Sequence, residues 1–135
     1  MGCRGAGAGS VTAVASAGPV LLTGFEPFDG RPVNASWQVA QRVARDWRGP
    51  GTLTTAVLPV SFERAPQTLV ALLDEIHPTV VLCLGESGRP GIDIERVALN
   101  LADTVHPDND GDRPQDRTLR EGGPAAHLAT IPVRA

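Results

Sequence analysis

Residues 19–37 read P-V-L-L-T-G-F-E-P-F-D-G-R-P-V-N-A-S-W, and this stretch decides the fold. Residues 19–23 form a short, continuous apolar run, which predicts a buried strand. Residues 34–36, N-A-S, offer the N-cap of a helix, because a short polar side chain can accept a hydrogen bond from a free backbone amide there. The stretch therefore predicts a strand and a helix joined by the loop 24–34.

This loop is unusual because it contains two of the chain's three Phe residues, Phe25 and Phe28, among Gly and Pro. Loops are usually polar and lie at the surface. The two rings are expected either to line a cleft or to pack the loop onto the core.

Apolar runs and helical patterns alternate through the following residues. Strands are predicted at 52–58, 79–84 and 92–101, a helix is predicted from Ser61 to a stop at His77-Pro78, and a further helix start is predicted at Gly122-Gly123-Pro124. The strand at 79–84 is expected to be the most deeply buried, since it is apolar throughout. Residues 103–120 form a polar excursion.

Strands that alternate with helices indicate an α/β fold, with βαβ units, a mainly parallel sheet and helices on both of its faces. Ligands of such folds bind in loops beyond the carboxyl ends of the strands. The loops 24–34 and 85–91 both directly follow predicted strands. The pattern offers only two strong helices and a weak third to cover the sheet, so the domain is expected to be truncated at its C-terminal end.

Composition limits the class of protein. Hydrophobic residues make up 41% and charged residues 20% of the 135 residues, which is typical of one globular domain. The net charge of −3 argues against nucleic acid as a partner. A membrane span is not predicted, because the sequence has no uninterrupted apolar run of about 18 residues. Cys3 and Cys83 do not form a disulfide framework, which favours a reducing cytoplasm. Residues 1–18 are rich in Gly and Ala and are expected to be a disordered extension, which leaves 19–135 as the domain.

No cofactor or metal is expected. The sequence has neither a dinucleotide fingerprint nor a P-loop. Residues 108–112, D-N-D-G-D, superficially resemble a calcium loop, but Arg113 and Leu119 stand where the loop needs Gly and Glu. A solvated acidic loop is the preferred interpretation.

Two residues are candidates for a role in nucleophilic catalysis. Cys83 lies within an apolar strand pattern, which favours an inert core thiol. Glu95 lies in I-D-I-E-R-V-A-L-N, where a charged pair with Arg96 in an apolar strand must be paired, exposed or functional. The pattern alone favours a structural pair.

Four stretches of the chain resemble pyroglutamyl peptidase I, a family of cytosolic cysteine peptidases. They are L-L-T-G-F-E-P-F-D-G with V-N-A-S-W, the loop G-E-S-G-R, I-E-R-V-A-L-N, and P-D-N-D-G followed by G-G-P-A-A. The resemblance implies a three-layer α/β/α sandwich and removal of N-terminal pyroglutamyl residues from peptides by a Cys-His-Glu triad. It covers nearly everything from Val20 onward and identifies 19–135 as the N-terminal portion of the peptidase domain.

The resemblance also implies roles for particular residues. Glu95 matches the triad acid, which orients the catalytic His, and this outweighs the structural pair. Phe25 and Phe28 match the aromatic residues beside the pyroglutamyl ring. Glu86 aligns with a polar position, often Gln, that faces the lactam amide. Peptides with N-terminal pyroglutamate are the implied partners, and because family members are often homo-oligomers, self-assembly is left open.

The chain also departs from the family pattern. The family's nucleophilic Cys and its His lie downstream of Ala135, and neither Cys83, His106 nor His127 matches them. Val105 stands where the family commonly has an Arg near the reacting carbonyl. The 135-residue chain alone is therefore expected to be inactive and poorly stable. The alternative is a non-catalytic remnant of the same fold that binds lactams or pairs subunits.

Overall fold

The computed structural model describes residues 17–131. The expected disordered extension at 1–18, with Cys3, therefore lies almost wholly outside the described residues. Nine elements follow in chain order: β1 (Val20–Phe25), α1 (Ala35–Asp46), β2 (Leu53–Leu58), α2 (Arg64–Ile76), β3 (Val80–Cys83), β4 (Val97–Leu99), β5 (Leu101–Ala102), β6 (Arg117–Thr118) and β7 (Ala126–Leu128).

The main sheet has three parallel strands in the order β2-β1-β3. The chain runs from β1 to its neighbour β2 on one side, and then crosses back to β3 on the other side of β1. Because parallel crossovers are almost always right-handed, this reversal places α1 and α2 on opposite faces of the sheet. The expected α/β fold, with a parallel sheet between helices, is confirmed.

The core is centred on β1. Leu21 is fully buried and Leu22 is 3% exposed, so both faces of this strand are covered, since successive side chains of a strand point to opposite faces. A Cβ atom at Gly24 would lie 2.6 Å from the backbone nitrogen of Trp37. Only Gly therefore allows the end of β1 to run this close to the start of α1. The strand continues to Phe25, two residues beyond the predicted end.

Local capping signals set the ends of both helices. The Asn34 Oδ1 atom accepts a hydrogen bond from the Ser36 amide at 3.0 Å, as expected of an N-cap. At the start of α2, the Ser61 hydroxyl accepts from the Arg64 amide at 2.9 Å. The helix ends at His77, whose left-handed backbone (φ 47°) lets its amide donate to the Leu73 carbonyl at 3.0 Å. The predicted boundaries at Asn34 and His77 are confirmed, whereas α2 begins at Arg64, three residues after the predicted start at Ser61.

The predicted burial of β3 is wrong. The strand exists, but Val80 is 50% and Leu82 40% exposed, and the Cys83 thiol is free and exposed. The cause is that neither helix packs substantially onto β3 among the described residues, since α1 contacts β1 and β2 and α2 contacts β2. The strand lies at an edge of the sheet and, within this part of the chain, pairs there only with β1. Cys83 is therefore not the core thiol that the apolar pattern indicated.

The region after β3 also differs from the prediction. Residues 92–96 are not a strand, and Ile92 and Ile94 are 98% and 62% exposed. Only β4 and β5 form within the predicted strand, and each makes a short antiparallel pair, with β7 and β6 respectively. The helix predicted from Pro124 does not form, and residues 126–128 instead make the strand β7, which pairs with β4.

None of the helices described between residues 17 and 131 is long and apolar enough to cross a membrane.

Candidate functional site

The carboxyl ends of all three parallel strands surround one cavity of about 210 Å³. Its lining residues are Phe25, Phe28, Asn34, Val60, Gly85 and Glu86. Phe25 ends β1, Val60 follows β2, and Gly85 follows β3. The strand order also reverses here, since the first crossover runs from β1 to β2 on one side and the second runs from β2 to β3 on the other side of β1. Open α/β sheets form a ligand crevice at such a point.

The N-A-S motif fixes the backbone beneath the two aromatic residues. The Phe25 amide donates to the Ser36 hydroxyl at 2.9 Å, and the Asn34 side-chain amide donates to the Glu26 carbonyl at 2.9 Å. Asn34 and Ser36 are 3% and 4% exposed. Asn34 therefore caps α1, and both buried side chains hold the main chain from which the aromatic rings project.

Glu26, between the two Phe residues, connects three loops. Its Oε1 atom accepts from the Val60 amide at 3.0 Å and from the Asn109 side-chain amide at 2.9 Å. Asn109 also donates to the Pro27 carbonyl at 2.9 Å, and its own amide donates to the Val60 carbonyl at 2.9 Å. The F-E-P-F turn, the end of β2 and the D-N-D-G turn are thus joined beside the cavity.

Glu86 lines the cavity with a carboxylate that is already engaged. One oxygen, Oε2, accepts from the Ala35 amide at 2.7 Å, and the other accepts from Arg31 Nη1. The Glu86 side chain is only 16% exposed, and the Arg31 side chain is 52% exposed. The Cζ atom of the Arg31 guanidinium also lies 5.8 Å from the centre of the Phe28 ring.

The acidic loop 108–112 is docked onto α2 rather than merely solvated. The Asp108 carboxylate accepts from the Phe62 amide at 2.8 Å, and this hydrogen bond holds the pKa of Asp108 below its ordinary value. Asp110 accepts two hydrogen bonds of 2.7 Å from the Arg64 guanidinium, which, with the Ser61 side chain, lowers the pKa of Asp110 to about 2. Asp112 pairs with Arg117. These carboxylates serve to attach the loop.

Glu95 lies apart from the cavity of the two Phe residues. It lines a second cavity of about 170 Å³, whose other lining residues are Arg96, Val97, Ala98, His127, Leu128 and Ala129. Its side chain is 83% exposed, and its nearest ion-pair partner is Arg89, at 4.0 Å, rather than Arg96. The structure thus brings Phe25, Phe28 and Glu86 together and does not bring Glu95 to them.

The cavity of the two Phe residues suits a small, flat and neutral group. Aromatic side chains contact the flat faces of a ring without requiring a charge on it. The one carboxylate of the lining, Glu86, is paired with Arg31 and with the start of α1, where helix geometry favours a negative charge. A charged ligand would have to lose its hydration without gaining an unpaired partner.

The sequence pattern did not identify several residues that build this site. Arg31, Glu26 and Asn109 act through contacts between residues that are far apart in the chain. The contact between Asn109 and Glu26 spans 83 residues, and that between Arg31 and Glu86 spans 55. The only local signal was that a Glu and an Arg occur in an aromatic turn.

Comparisons with known proteins agree with this architecture. A family model described as pyroglutamyl peptidase matches residues 19–135. Pyrrolidone-carboxylate peptidases from Clavibacter michiganensis and Gloeobacter violaceus are 44% and 48% identical over 86% of this chain, which covers 55% and 57% of those proteins. The chain therefore spans about half the length of the curated relatives it matches.

Solved structures give the same result. The pyroglutamyl peptidase I of Bacillus amyloliquefaciens superimposes with a TM-score of 0.81 at 36% identity, over 86% of this chain and 56% of that one. The pyrrolidone carboxyl peptidase of Fervidobacterium islandicum superimposes with a TM-score of 0.78 at 39% identity, over 82% and 54%. With the family model matched along nearly all of the described residues, the chain belongs to the pyroglutamyl peptidase family.

Proposed function

We propose that the cavity at the carboxyl ends of β1, β2 and β3 binds the lactam ring of an N-terminal pyroglutamyl residue. The observation that carries this proposal is the common cavity lined by Phe25, Phe28 and Glu86. Membership of the pyroglutamyl peptidase family supports the choice of ligand. The substrates of the whole enzyme are then peptides that begin with pyroglutamate.

The chemistry of the lactam fits these residues. A five-membered lactam has two apolar faces and a polar amide edge, so Phe25 and Phe28 can contact the faces while polar groups of the lining meet the edge. An uncyclised glutamate would bring a carboxylate whose hydration the aromatic lining does not replace. The cavity therefore favours the cyclised form.

We further propose that Glu95 is the acid of a Cys-His-Glu triad, and that it orients a histidine when the triad is assembled. Within the described residues, Cys83 lies at the end of β3, whereas His127 lines the cavity of Glu95. This thiol and this imidazole therefore do not share a site. Because loss of a triad partner removes most catalysis, the 135-residue chain alone binds the lactam without hydrolysing peptides.

The experiment combines binding and turnover on the 135-residue chain. Titration with 2-pyrrolidone, followed by NMR, should saturate and shift signals of Phe25, Phe28 and Gly85. Phe28→Leu should weaken binding by about threefold to tenfold, because the aromatic contact is lost. Phe62→Leu is the matched control, since Phe62 lies two residues before α2 and outside the cavity, and it should leave the affinity unchanged.

Turnover is measured with a fluorogenic pyroglutamyl amide. The expected result is no release of the fluorophore by the chain alone. Release that iodoacetamide abolishes would overturn the proposed inactivity and would indicate a functional thiol. Absence of saturable 2-pyrrolidone binding would overturn the lactam site itself.

A second candidate is a non-catalytic protein that binds a lactam or pairs with another subunit. The separation of Glu95 from the aromatic cavity favours binding without catalysis, and the exposed apolar side chains of β3 favour pairing. Saturable binding together with a cooperative unfolding transition would support this candidate. A broad, non-cooperative transition would reject it. A reducing cytoplasm is proposed for either candidate, because the Cys83 thiol is free and exposed.

A further inference from the structure

We propose that Arg31 and Glu86 form an ionic latch that positions the Phe28 side of the cavity and thereby sets its affinity for the lactam. This proposal rests on the proposed function, because the ligand is the same. It assigns Arg31 a role that no motif of the sequence indicates. Arg31 is a positioning residue, since it acts through Phe28 and does not line the cavity, whereas Glu86 lines the cavity and also anchors the start of α1.

The first part of the latch is the anchored carboxylate. Glu86 follows β3, whereas Ala35 is the first residue of α1, so the hydrogen bond of 2.7 Å from the Ala35 amide ties two separate elements together. A carboxylate at a helix N-terminus is stabilised by the free amides there. The Glu86 side chain is only 16% exposed, and the Ala35 amide holds one of its oxygens while the other pairs with Arg31.

The second part of the latch is the tight turn at residues 28–31, which reverses the chain so that the Arg31 side chain lies over the Phe28 ring. Asp29 and Gly30 both have left-handed backbones, with φ of 54° and 68°, and the Arg31 amide donates to the Phe28 carbonyl at 3.1 Å. Positive φ at both central positions is the geometry of a type I′ turn, which requires residues such as Asp and Gly. The tight turn places the guanidinium 5.8 Å from the centre of the Phe28 ring.

The Arg31 guanidinium therefore lies over the Phe28 ring and also pairs with the Glu86 carboxylate, and both of these residues line the cavity. Cation–π attraction restrains the Phe28 ring, and the ion pair restrains the guanidinium. Loss of either charge frees Arg31, so the effects of removing Arg31 and of removing Glu86 should not add. Because Arg31 is half exposed, salt should weaken the latch.

The experiment measures 2-pyrrolidone affinity by NMR titration for the wild-type chain, Arg31→Gln, Glu86→Gln and the double variant, at low and high salt. Each single variant should bind about threefold more weakly, and the double variant should bind no more weakly than the singles. The wild-type affinity should fall as salt rises, whereas the affinities of the variants should not. Arg42→Gln, which breaks the exposed pair with Asp46 on α1, is the matched control and should match the wild type throughout.

A readout without ligand separates failure of the latch from failure of the lactam site. Hydrogen exchange of the Ala35 amide should be slow in the wild type and faster in Glu86→Ala, and Arg31→Gln should shift the Phe28 ring signals. If the wild type binds but the single variants bind equally well, or their losses add, the latch is wrong and the lactam site stands. If the wild type does not bind, unchanged Ala35 exchange and Phe28 signals would overturn the latch as well, whereas the expected changes would support it.

Discussion

Thr23 carries a hydroxyl in the centre of the core. Its side chain is fully buried in β1, and Oγ1 has no hydrogen-bond partner among residues 17–131. A buried polar atom without a partner loses its hydration without replacement, at a cost of about 1–3 kcal/mol. The hydroxyl therefore opposes folding while the methyl group of the same side chain packs.

Thr23→Val should raise the free energy of unfolding by about 1 kcal/mol, because it keeps the shape of the side chain and removes the unpaired hydroxyl. Thr23→Ser is the matched control, since it keeps the hydroxyl and loses the methyl group, and it should lower stability by about 1 kcal/mol. Urea denaturation followed by Trp fluorescence measures both. A clear loss of stability in Thr23→Val would mean that the hydroxyl has a partner.

At the scale of single residues, the sequence predicted the aromatic residues of the site but not the contacts that hold Glu86. Phe25 and Phe28 were selected because two rings in a Gly- and Pro-rich loop conflict with the usual polarity of loops, and this conflict is local. The partners of Glu86 were not predictable, since a helix amide and a guanidinium from another loop meet it only after folding. For Glu95, the charge in an apolar run favours a structural pair with Arg96, and only the family resemblance indicates a triad acid. In the structure Glu95 is 83% exposed and lies 4.0 Å from Arg89.

At the scale of elements, short-range signals gave the start of α1 and the end of α2 correctly, whereas the apolar pattern gave the burial of β3 wrongly. Asn34 and His77 act on amides or carbonyls within a few residues, so the helix ends follow from the local sequence. Burial of β3 depends on the helices that pack onto its faces, and the strand predicted at 92–101 depends on its partners. Apolar composition alone does not contain that information.

The docking of the acidic loop onto α2 should depend on pH through Asp110. Arg64 and Ser61 lower the pKa of Asp110 from 3.8 to about 2, so its contribution to stability is complete above pH 4 and is lost as pH falls through about 2. Asp110→Asn removes this contribution. The stability difference between wild type and variant should therefore be constant from pH 7 to 5 and shrink between pH 4 and 2.

Urea denaturation of the two proteins at a series of pH values measures this difference. Asp103→Asn is the control, because Asp103 is exposed and lies outside the ion pairs between α2 and the loop. Its difference from the wild type should stay small. A difference for Asp110→Asn that grows toward low pH would contradict the assigned ion pair.

At the scale of the whole molecule, stability is distributed unevenly. Strand β1 has neighbours on both sides and buried residues on both faces, whereas β3 pairs only with β1 among the described residues. The short pairs β4–β7 and β5–β6 are mostly exposed. Segments with few buried contacts open locally at a lower free energy than the core.

Native-state hydrogen exchange should follow this order. Amides of β1 should exchange most slowly, and those of β4 to β7 should exchange fastest. Within β3, the amides that bond to β1 should be protected, and the alternate amides, which face the outer edge, should exchange rapidly, because alternate residues of a strand direct their amides to opposite sides. Equal protection of both sets in β3 would contradict an open edge and would mean that a further strand, from this chain or another copy, pairs with it. NMR exchange at several protein concentrations distinguishes these two sources, since only pairing between copies gains protection as concentration rises.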